Sequence, residues 1–169
     1  GIINGLRDFV RKSSPVPQAI KINGLLDEIL ELMEPERRRW GIKIDVTIPA
    51  GLSAAWVDRV QTQQIMMNLI NNAIQAINES PQSKKLLEIS VLEKHDQLHI
   101  EVRDFAEGIS ELLRPHLFTS FFTTKPEGIG IGLSLSRGIA EAQGGQLNYQ
   151  SVQPGSVFCL IIPCNIPRR

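Results

Sequence analysis

The amino-acid sequence predicts an α/β fold, because segments with helical periodicity and segments with strand periodicity both occur along it. The central segment, residues 64–77, contains no glycine or proline and carries apolar side chains at helical spacing. Residues 97–104 alternate apolar and polar side chains, as a strand with one buried face does. At 169 residues and 42% hydrophobic composition, the chain is long enough for one domain with a substantial core.

Composition excludes several classes of function. The formal net charge of +0 argues against a nucleic-acid or anionic-membrane footprint spread over the molecule. No apolar run approaches the roughly 20 residues of a membrane span. Cys159 and Cys164 have no cysteine or histidine partner at metal-binding spacing, so we expect reduced thiols and a cytoplasmic location.

The amino-terminal region contains the one candidate domain boundary. Residues 2–12 have a helical apolar pattern, and the prolines and serines of residues 13–17 have the chemistry of a linker. We therefore divide the chain into residues 1–17 and residues 18–169.

A first long helix is expected after a short strand at residues 19–22. Asn23 is its predicted N-cap, and Gly41 follows as its C-cap. Pro35 lies inside this segment, where we expect a kink or a break.

The remaining strands follow from alternation and from turn residues. Residues 86–92 and 97–104 are predicted to form a hairpin around His95 and Asp96. Ser110 to Phe118 should form a short helix, or two turns, around Pro115. The other predicted strands are residues 42–48, 54–57, 145–152 and 155–162.

The central helix carries an unusual polar stripe. Asp58 is its predicted N-cap, with Gln61 three residues later as in a capping box. Amides recur at steps of three and four along one face, without the charged residues of an ordinary exposed face. The stripe consists of Gln61, Gln64, Asn68, Asn72 and Gln75. Two amides one turn apart could bind a hydrated cation, and a plain solvent-exposed stripe is an equal alternative.

A carboxylate and a glycine mark the end of the strand at residues 97–104. Asp104 can accept hydrogen bonds from a ligand amine, while Gly108 lets backbone approach the ligand closely. The same spacing is also common in turns that bind nothing.

A glycine-rich loop opens the last predicted helix. Gly128, Gly130 and Gly132 alternate before an apolar helical pattern at residues 133–142, an arrangement that makes an anion site at a helix start. Leu133 occupies the position of the third glycine of a dinucleotide fingerprint, and no Gly-Lys-Ser/Thr of a P-loop occurs. A flexible loop before an ordinary amphipathic helix is the alternative.

Together, these motifs resemble the ATP-binding catalytic domain of sensor histidine kinases, which has the Bergerat fold. The resemblance covers roughly residues 19–163. Residues 64–76 resemble the asparagine box, 104–109 the first glycine box, 117–125 the phenylalanine box and 128–133 the second glycine box. Their order and spacing make the combined signal strong.

The resemblance implies a two-layer α/β sandwich, with a mixed, mostly antiparallel sheet and helices packed on one face. It also implies ATP and Mg²⁺ as cofactors. Asn72 would bind the metal, Asn68 would line the same catalytic site, and Asp104 would accept the adenine amino group. The remaining nucleotide contacts implied are Gly108, Ile109, Thr124, Lys125, Gly128, Gly130, Ile131, Gly132 and Leu133.

Three positions bear on activity: Asn68 separates this chain from related ATPases, and two others depart from the kinase pattern. Related ATPases carry a catalytic glutamate where this chain has Asn68, and an amide cannot take a proton from water. Ala106 replaces an expected glycine, which costs about 1–2 kcal/mol if the backbone has positive φ. Val157 stands where a threonine commonly holds water near the adenine-binding carboxylate.

The resemblance implies a kinase that transfers the γ-phosphoryl group of ATP to a histidine on a separate dimerisation domain. Residues 1–17 would then be the end of that domain's helical hairpin plus a linker. The expected partners are this domain within a homodimeric parent and, indirectly, a response regulator, with no nucleic acid and no direct membrane contact. The alternatives are a catalytically weakened regulatory module and an anti-sigma-type protein serine kinase.

Overall fold

The computed structural model describes residues 15–119 and 132–164, and within them strands and helices follow the predicted alternation. The helices are α1 (Ile22–Trp40), α2 (Arg59–Glu79) and α3 (Gly132–Ala142). The strands are β1 (Gln18–Ile20), β2 (Lys43–Thr47), β3 (Ala55–Val57), β4 (Leu86–Lys94), β5 (Gln97–Asp104), β6 (Gln146–Ser151) and β7 (Ser156–Pro163).

The main sheet has five strands in the order β2-β4-β5-β7-β6. Only the β2–β4 pair is parallel, and the others are antiparallel. The mixed, mostly antiparallel sheet is therefore confirmed. β1 and β3 form a separate two-stranded sheet that adjoins the end of β7 through a bridge between Ala55 and Cys164.

The helices cover one face of the main sheet, and the core lies between the two layers. On β5 the inward side chains are Leu98, Ile100 and Val102, each at most 2% exposed. They pack in one cluster with the apolar face of α2, which includes Ile65 and Leu69. Because side chains alternate along a strand, Asp104 continues the inward row of β5 beyond its last apolar member.

The first long helix differs from its prediction at two places. It begins at Ile22 with Lys21 as N-cap and no side-chain cap, so Asn23 lies inside the helix. It also continues through Pro35, so of the expected kink or break the break does not occur. An interior proline costs about 3 kcal/mol, which the buried apolar face of α1 offsets. Gly41 ends the helix in a left-handed conformation, as predicted.

Charged side chains on both sides of Pro35 support the last turns of α1. Glu34 receives hydrogen bonds from Arg37 at 2.6 and 2.7 Å and from Arg38 at 2.8 Å. The hydrogen bonds from Arg37, followed by those from Arg38, lower the pKa of Glu34 to about 2. The charged side chains of residues 34–39 thus form i,i+3 and i,i+4 pairs on a helix surface.

The central helix begins where its cap predicts. Asp58 Oδ1 accepts a hydrogen bond from the backbone N–H of Gln61 at 2.9 Å, which satisfies one free donor of the first turn. Asp58 Oδ2 accepts a second bond, from the backbone N–H of Val16 at 2.9 Å. The same carboxylate therefore caps α2 and holds the described end of the linker.

The remaining elements agree with their predictions. His95 and Asp96 form the β4–β5 hairpin turn, and both have positive φ. Cys159 and Cys164 are both in the thiol form. Between Ser110 and Phe118 the chain forms turns around a three-residue 3-10 helix, from Arg114 to His116, which contains Pro115.

Candidate functional site

Asp104 ends β5 with its side chain buried on the helix side of the sheet, at 4% exposure. Its Oδ1 accepts a hydrogen bond from the backbone N–H of Ala106 at 3.0 Å. Across the sheet it is opposite Ser156 of β7, whose backbone N–H also stabilises the ionised carboxylate. Asp104 is thus a carboxylate of fixed direction at the end of the central strand.

Burial raises the pKa of the Asp104 carboxyl above its usual value. Hydrogen bonds from Ala106 and Ser156 and the charge of Arg103 act in the opposite direction, and burial is the larger effect. A desolvated carboxylate with few donors around it is an acceptor for a donor supplied by a ligand. The environment of Asp104 therefore fits recognition of an amino group.

The expected penalty at Ala106 does not arise. The described non-glycine residues with positive φ are His95 and Asp96, so Ala106 adopts an ordinary backbone conformation. The left-handed residue of this loop is Gly108, with φ of 83°. Ala106 is itself buried, at 4% exposure, and it donates to Asp104 through its backbone.

The loop after β5 is in backbone contact with the β6–β7 turn. A Cβ atom on Gly155 would lie 2.0 Å from the carbonyl oxygen of Asp104, and Gly155 has φ of 104°. A Cβ atom on Gly108 would lie 2.9 Å from the carbonyl oxygen of Gly155. Sequence analysis missed Gly155, because its contact with Asp104 follows from the pairing of β5 with β7, which no local pattern reveals.

Val157, which stands where the resemblance implied a water-holding threonine, does not lie beside the Asp104 carboxylate. Val157 is opposite Arg103, one position away from Asp104, so its side chain lies on the other face of the sheet. Ser156 is the residue opposite Asp104, and it carries a hydroxyl. A hydroxyl is thus present beside the carboxylate, at Ser156 instead of the position that sequence analysis considered.

Asn68 of α2 is held by the first turns of α3. Its Nδ2 donates to the Oγ of Ser136, 3.2 Å away, and Ser136 is fully buried. A Cβ atom on Gly132 would lie 3.0 Å from Asn68 Oδ1, so glycine lets the helix start lie against the carboxamide. Two residues from separate motifs, Asn68 and Gly132, are therefore brought together as the resemblance implied.

Asn72 lies one turn after Asn68 on the same stripe and is half-buried. On that stripe, the Oε1 of Gln64 is buried and has no hydrogen-bond partner among the residues that the structure describes. Amide oxygens are hard donors that suit Mg²⁺. No group of three or more His, Cys, Asp or Glu that could hold a metal occurs in the described ranges. The donor set therefore fits a cation that keeps most of its ligands from water and phosphate.

The second glycine box is only partly described. Leu133 is partly buried and packs against the core at the start of α3. At the other side of the gap, Phe118 packs edge-on against Phe158 at 6.5 Å, with the guanidinium of Arg137 4.5 Å from its ring centre. The predicted site residues outside the described residues are Thr124, Lys125, Gly128, Gly130 and Ile131.

The described part of the site thus has two ends joined by α2. One end comprises Asp104, Gly108 and Ile109 after β5, and the other comprises Asn68, Asn72 and the start of α3. Helix α2 packs against both β5 and α3. Because Ile109 also packs on the core, both ends rest on the same apolar cluster.

Comparison with known proteins identifies the family. Residues 57–166 match the family of histidine kinase-, DNA gyrase B-, and HSP90-like ATPases. The chain therefore belongs to this family.

Curated relatives place the chain nearer one branch of that family. It is 34% identical over 163 residues to the sensor protein FixL of Bradyrhizobium diazoefficiens, covering 96% of this chain and 32% of that protein. It is 30% identical over 169 residues to the sensor histidine kinase ZraS of Escherichia coli K12, covering 99% and 36%. The chain thus spans about a third of the length of these relatives.

Solved structures support the same branch. The catalytic domain of histidine kinase ThkA matches with a TM-score of 0.79 and 27% identity, covering 88% of this chain and 96% of that one. The fold is that of a histidine kinase catalytic domain, a two-layer α/β sandwich. Among the described residues, no helix combines the length and apolar character that crossing a bilayer requires.

Proposed function

We propose that this chain binds Mg-ATP and supplies its γ-phosphoryl group to a histidine on a separate dimerisation domain of a sensor kinase. Membership of the ATPase family supports the nucleotide. The proposal of phosphoryl transfer rests on the contacts of Asn68 with the start of α3. The side chain held there is an amide and not a carboxylate. An amide cannot act as a general base for water at neutral pH, which favours transfer over hydrolysis.

In this proposal each end of the site holds one end of the nucleotide. Asp104 accepts the amino group of adenine, and the backbone at Gly108 and Ile109 lies along the base. Asn72 holds the metal, with Asn68 beside it, and the start of α3 at Gly132 and Leu133 receives phosphate oxygens. Magnesium supplies charge neutralisation of the triphosphate when it is bound.

The residues outside the described ranges complete the proposed site. We assign Thr124 and Lys125 to contacts made by a lid, and Gly128, Gly130 and Ile131 to the segment that leads into α3. Residues 1–17 are proposed to be the end of the phosphoacceptor hairpin and a linker, and residues 18–169 the catalytic domain. The parent kinase would be a homodimer whose response regulator receives the phosphoryl group, and this chain would lie in the cytoplasm.

Catalysis in this proposal is mainly positioning. Holding donor and acceptor together contributes about 7–11 kcal/mol, so the chain without an acceptor histidine should phosphorylate itself negligibly. The alternative of a catalytically weakened module rested on Ala106 and Val157, and neither disturbs the geometry around Asp104. The alternative of an anti-sigma-type serine kinase has no support from the curated relatives cited above.

Calorimetry with a nonhydrolysable ATP analogue tests the first half of the proposal. We expect magnesium-dependent binding that Asn72→Ala weakens at least tenfold and that Asn71→Ala, at the exposed neighbouring amide, leaves unchanged. Supplying the parent's histidine hairpin in trans tests the second half, with acid-labile, base-stable phosphate as the expected product. Binding without such transfer would support a regulatory module instead, and equal binding with and without magnesium would overturn the metal assignment.

A further inference from the structure

The loop that follows Asp104 is held on both sides by side chains that no nucleotide motif contains. Its last residue, Ile109, has its backbone N–H bonded to the phenol oxygen of Tyr149 at 3.4 Å. Its carbonyl oxygen accepts from Nε of Arg114 at 3.0 Å. Both backbone groups of one residue are therefore fixed by long side chains from elsewhere in the fold.

Tyr149 connects this loop to the residue beside the carboxylate. Its hydroxyl lies 3.2 Å from the Oγ of Ser156, which is opposite Asp104 on β7. Its ring packs against Phe158, with centroids 5.2 Å apart, and is half-buried. The ring is thus fixed by packing, and the hydroxyl joins Ile109 to Ser156.

Arg114 connects the same loop to the edge of the sheet. Besides its bond to Ile109, its Nη2 donates to the Oγ of Ser151 at 3.0 Å. Ser151 is opposite Ser156 in the β6–β7 pair. Both connections therefore converge on the end of the sheet at which Asp104 lies.

We propose that Tyr149 and Arg114 are positioning residues that set the base end of the nucleotide site and its preference for adenine. This inference rests on the proposed function. Neither side chain is assigned a contact with the nucleotide. They hold the backbone of Ile109 to β6 and β7. Asp104 can then accept from the 6-amino group of adenine, whereas guanine has a carbonyl oxygen at that position, which cannot donate to a carboxylate.

Loss of these hydrogen bonds should change binding of the base and leave the phosphate end of the site as it is. Without the Tyr149 hydroxyl, the loop gains freedom relative to Asp104, and the contact made by adenine weakens. Phosphate and metal contacts at Asn72 and the start of α3 lie at the other end of the site and are unaffected. Affinity for an adenine nucleotide should fall, while the rate of phosphoryl transfer at saturation should not.

The test is calorimetry of Tyr149→Phe with nonhydrolysable ATP and GTP analogues in the presence of magnesium. This variant keeps the ring that packs on Phe158, and Gln150→Ala, at an exposed position on the same strand, is the matched control. We expect affinity for the ATP analogue to fall about five- to tenfold, as for one lost hydrogen bond. Affinity for the GTP analogue should be unchanged. The ratio of the affinity for the ATP analogue to that for the GTP analogue should therefore fall by the same factor.

A second variant keeps the inference testable if Tyr149→Phe does not fold. Arg114→Gln should lower the same ratio of affinities. Arg114→Lys should restore the ratio only in part, because lysine has one donor nitrogen and cannot bond to Ile109 and Ser151 as the two nitrogens of Arg114 do. Wild-type protein that binds neither analogue would refute the proposed function itself. Wild-type protein that prefers ATP, with folded variants that keep the full preference, would overturn this inference alone.

Discussion

Asn68 and Ser136 join α2 to α3 through one hydrogen bond, 3.2 Å long, from a half-buried amide to a fully buried hydroxyl. Because Nδ2 of Asn68 donates this bond, the Oδ1 atom of the same carboxamide makes no bond to Ser136. The bond therefore fixes which atom of Asn68 is presented to a ligand. It also makes the position of α3 and the orientation of this amide depend on each other.

We expect Ser136→Ala to weaken magnesium-dependent nucleotide binding by about three- to tenfold, since one hydrogen bond contributes about 0.5–1.5 kcal/mol. The half-saturating magnesium concentration should rise in a titration at fixed nucleotide. Ser80→Ala is the control, because Ser80 is a buried serine that caps the C-terminal end of α2. If both variants titrate alike, Ser136 does not orient the metal side of the site.

We expect Asp104→Asn to lose nucleotide affinity without losing stability. A bond to a charged group contributes about 1.5–3 kcal/mol, so affinity for an ATP analogue should fall at least tenfold. Burial of the carboxylate is unfavourable in the folded protein, as its raised pKa shows, so the melting temperature should not decrease. Asp27→Asn, on the exposed surface of α1, should change neither quantity, and a destabilised Asp104→Asn protein would contradict this account of the site.

The raised pKa of Asp104 also predicts how stability depends on pH. The folded protein binds the Asp104 proton more tightly than the unfolded chain does, because burial disfavours the ionised form. The free energy of unfolding of wild-type protein should therefore increase relative to that of Asp104→Asn as pH falls through the folded pKa towards the unfolded value. Urea unfolding of both proteins between neutral and acidic pH measures this difference, and a change of opposite sign would refute it.

Gly155→Ala should be strongly destabilising. The added Cβ would lie 2.0 Å from the carbonyl oxygen of Asp104, at a backbone φ of 104°, and such strain costs on the order of 1–3 kcal/mol or more. Gly24→Ala in α1 is the matched control, since nothing lies within 4 Å of its added Cβ. It should stabilise the protein by about 0.5–1 kcal/mol. Denaturant midpoints for the two variants should move in opposite directions.

Asp58→Ala should reduce the free energy of unfolding by about 1 kcal/mol or somewhat more, the usual cost of a lost N-cap. Asp58→Asn should keep most of the stability that Asp58→Ala loses, because asparagine caps helices as well as aspartate does and gives up only the acceptor for the exposed N–H of Val16. Thermal or urea unfolding compares the three proteins. Equal stability of the alanine and asparagine variants would show that the bond to Gln61 contributes nothing measurable.

Sequence patterns predicted the fold well where the signal was local. The bounds of β5, the hairpin turn at His95 and Asp96 and the cap at Asp58 all depend on residues near one another in the chain. At Pro35 the helix does not break, because packing of α1 against the core outweighs a local helix breaker. Tertiary context overrides intrinsic preference in this way wherever the buried face is large.

The site was predictable to the extent that its residues resemble known motifs. Asn68 and Gly132, far apart in sequence, do lie against each other. The roles of Gly155 and Tyr149 and the true position of Val157 depend on strand order and register. Those features arise from pairings across 40 or more residues, such as that between Ile109 and Tyr149. A single sequence does not indicate such pairings directly.

The two oxygens of Asp58 have separate partners, Gln61 on one side and Val16 on the other. A shortened version of this chain that starts at β1 would keep every helix and strand of the core and still remove the donor at Val16. One oxygen of the carboxylate that caps α2 would then be left to solvent. Removing the residues before β1 therefore costs a contact at the start of α2, even though the first strand begins only at Gln18.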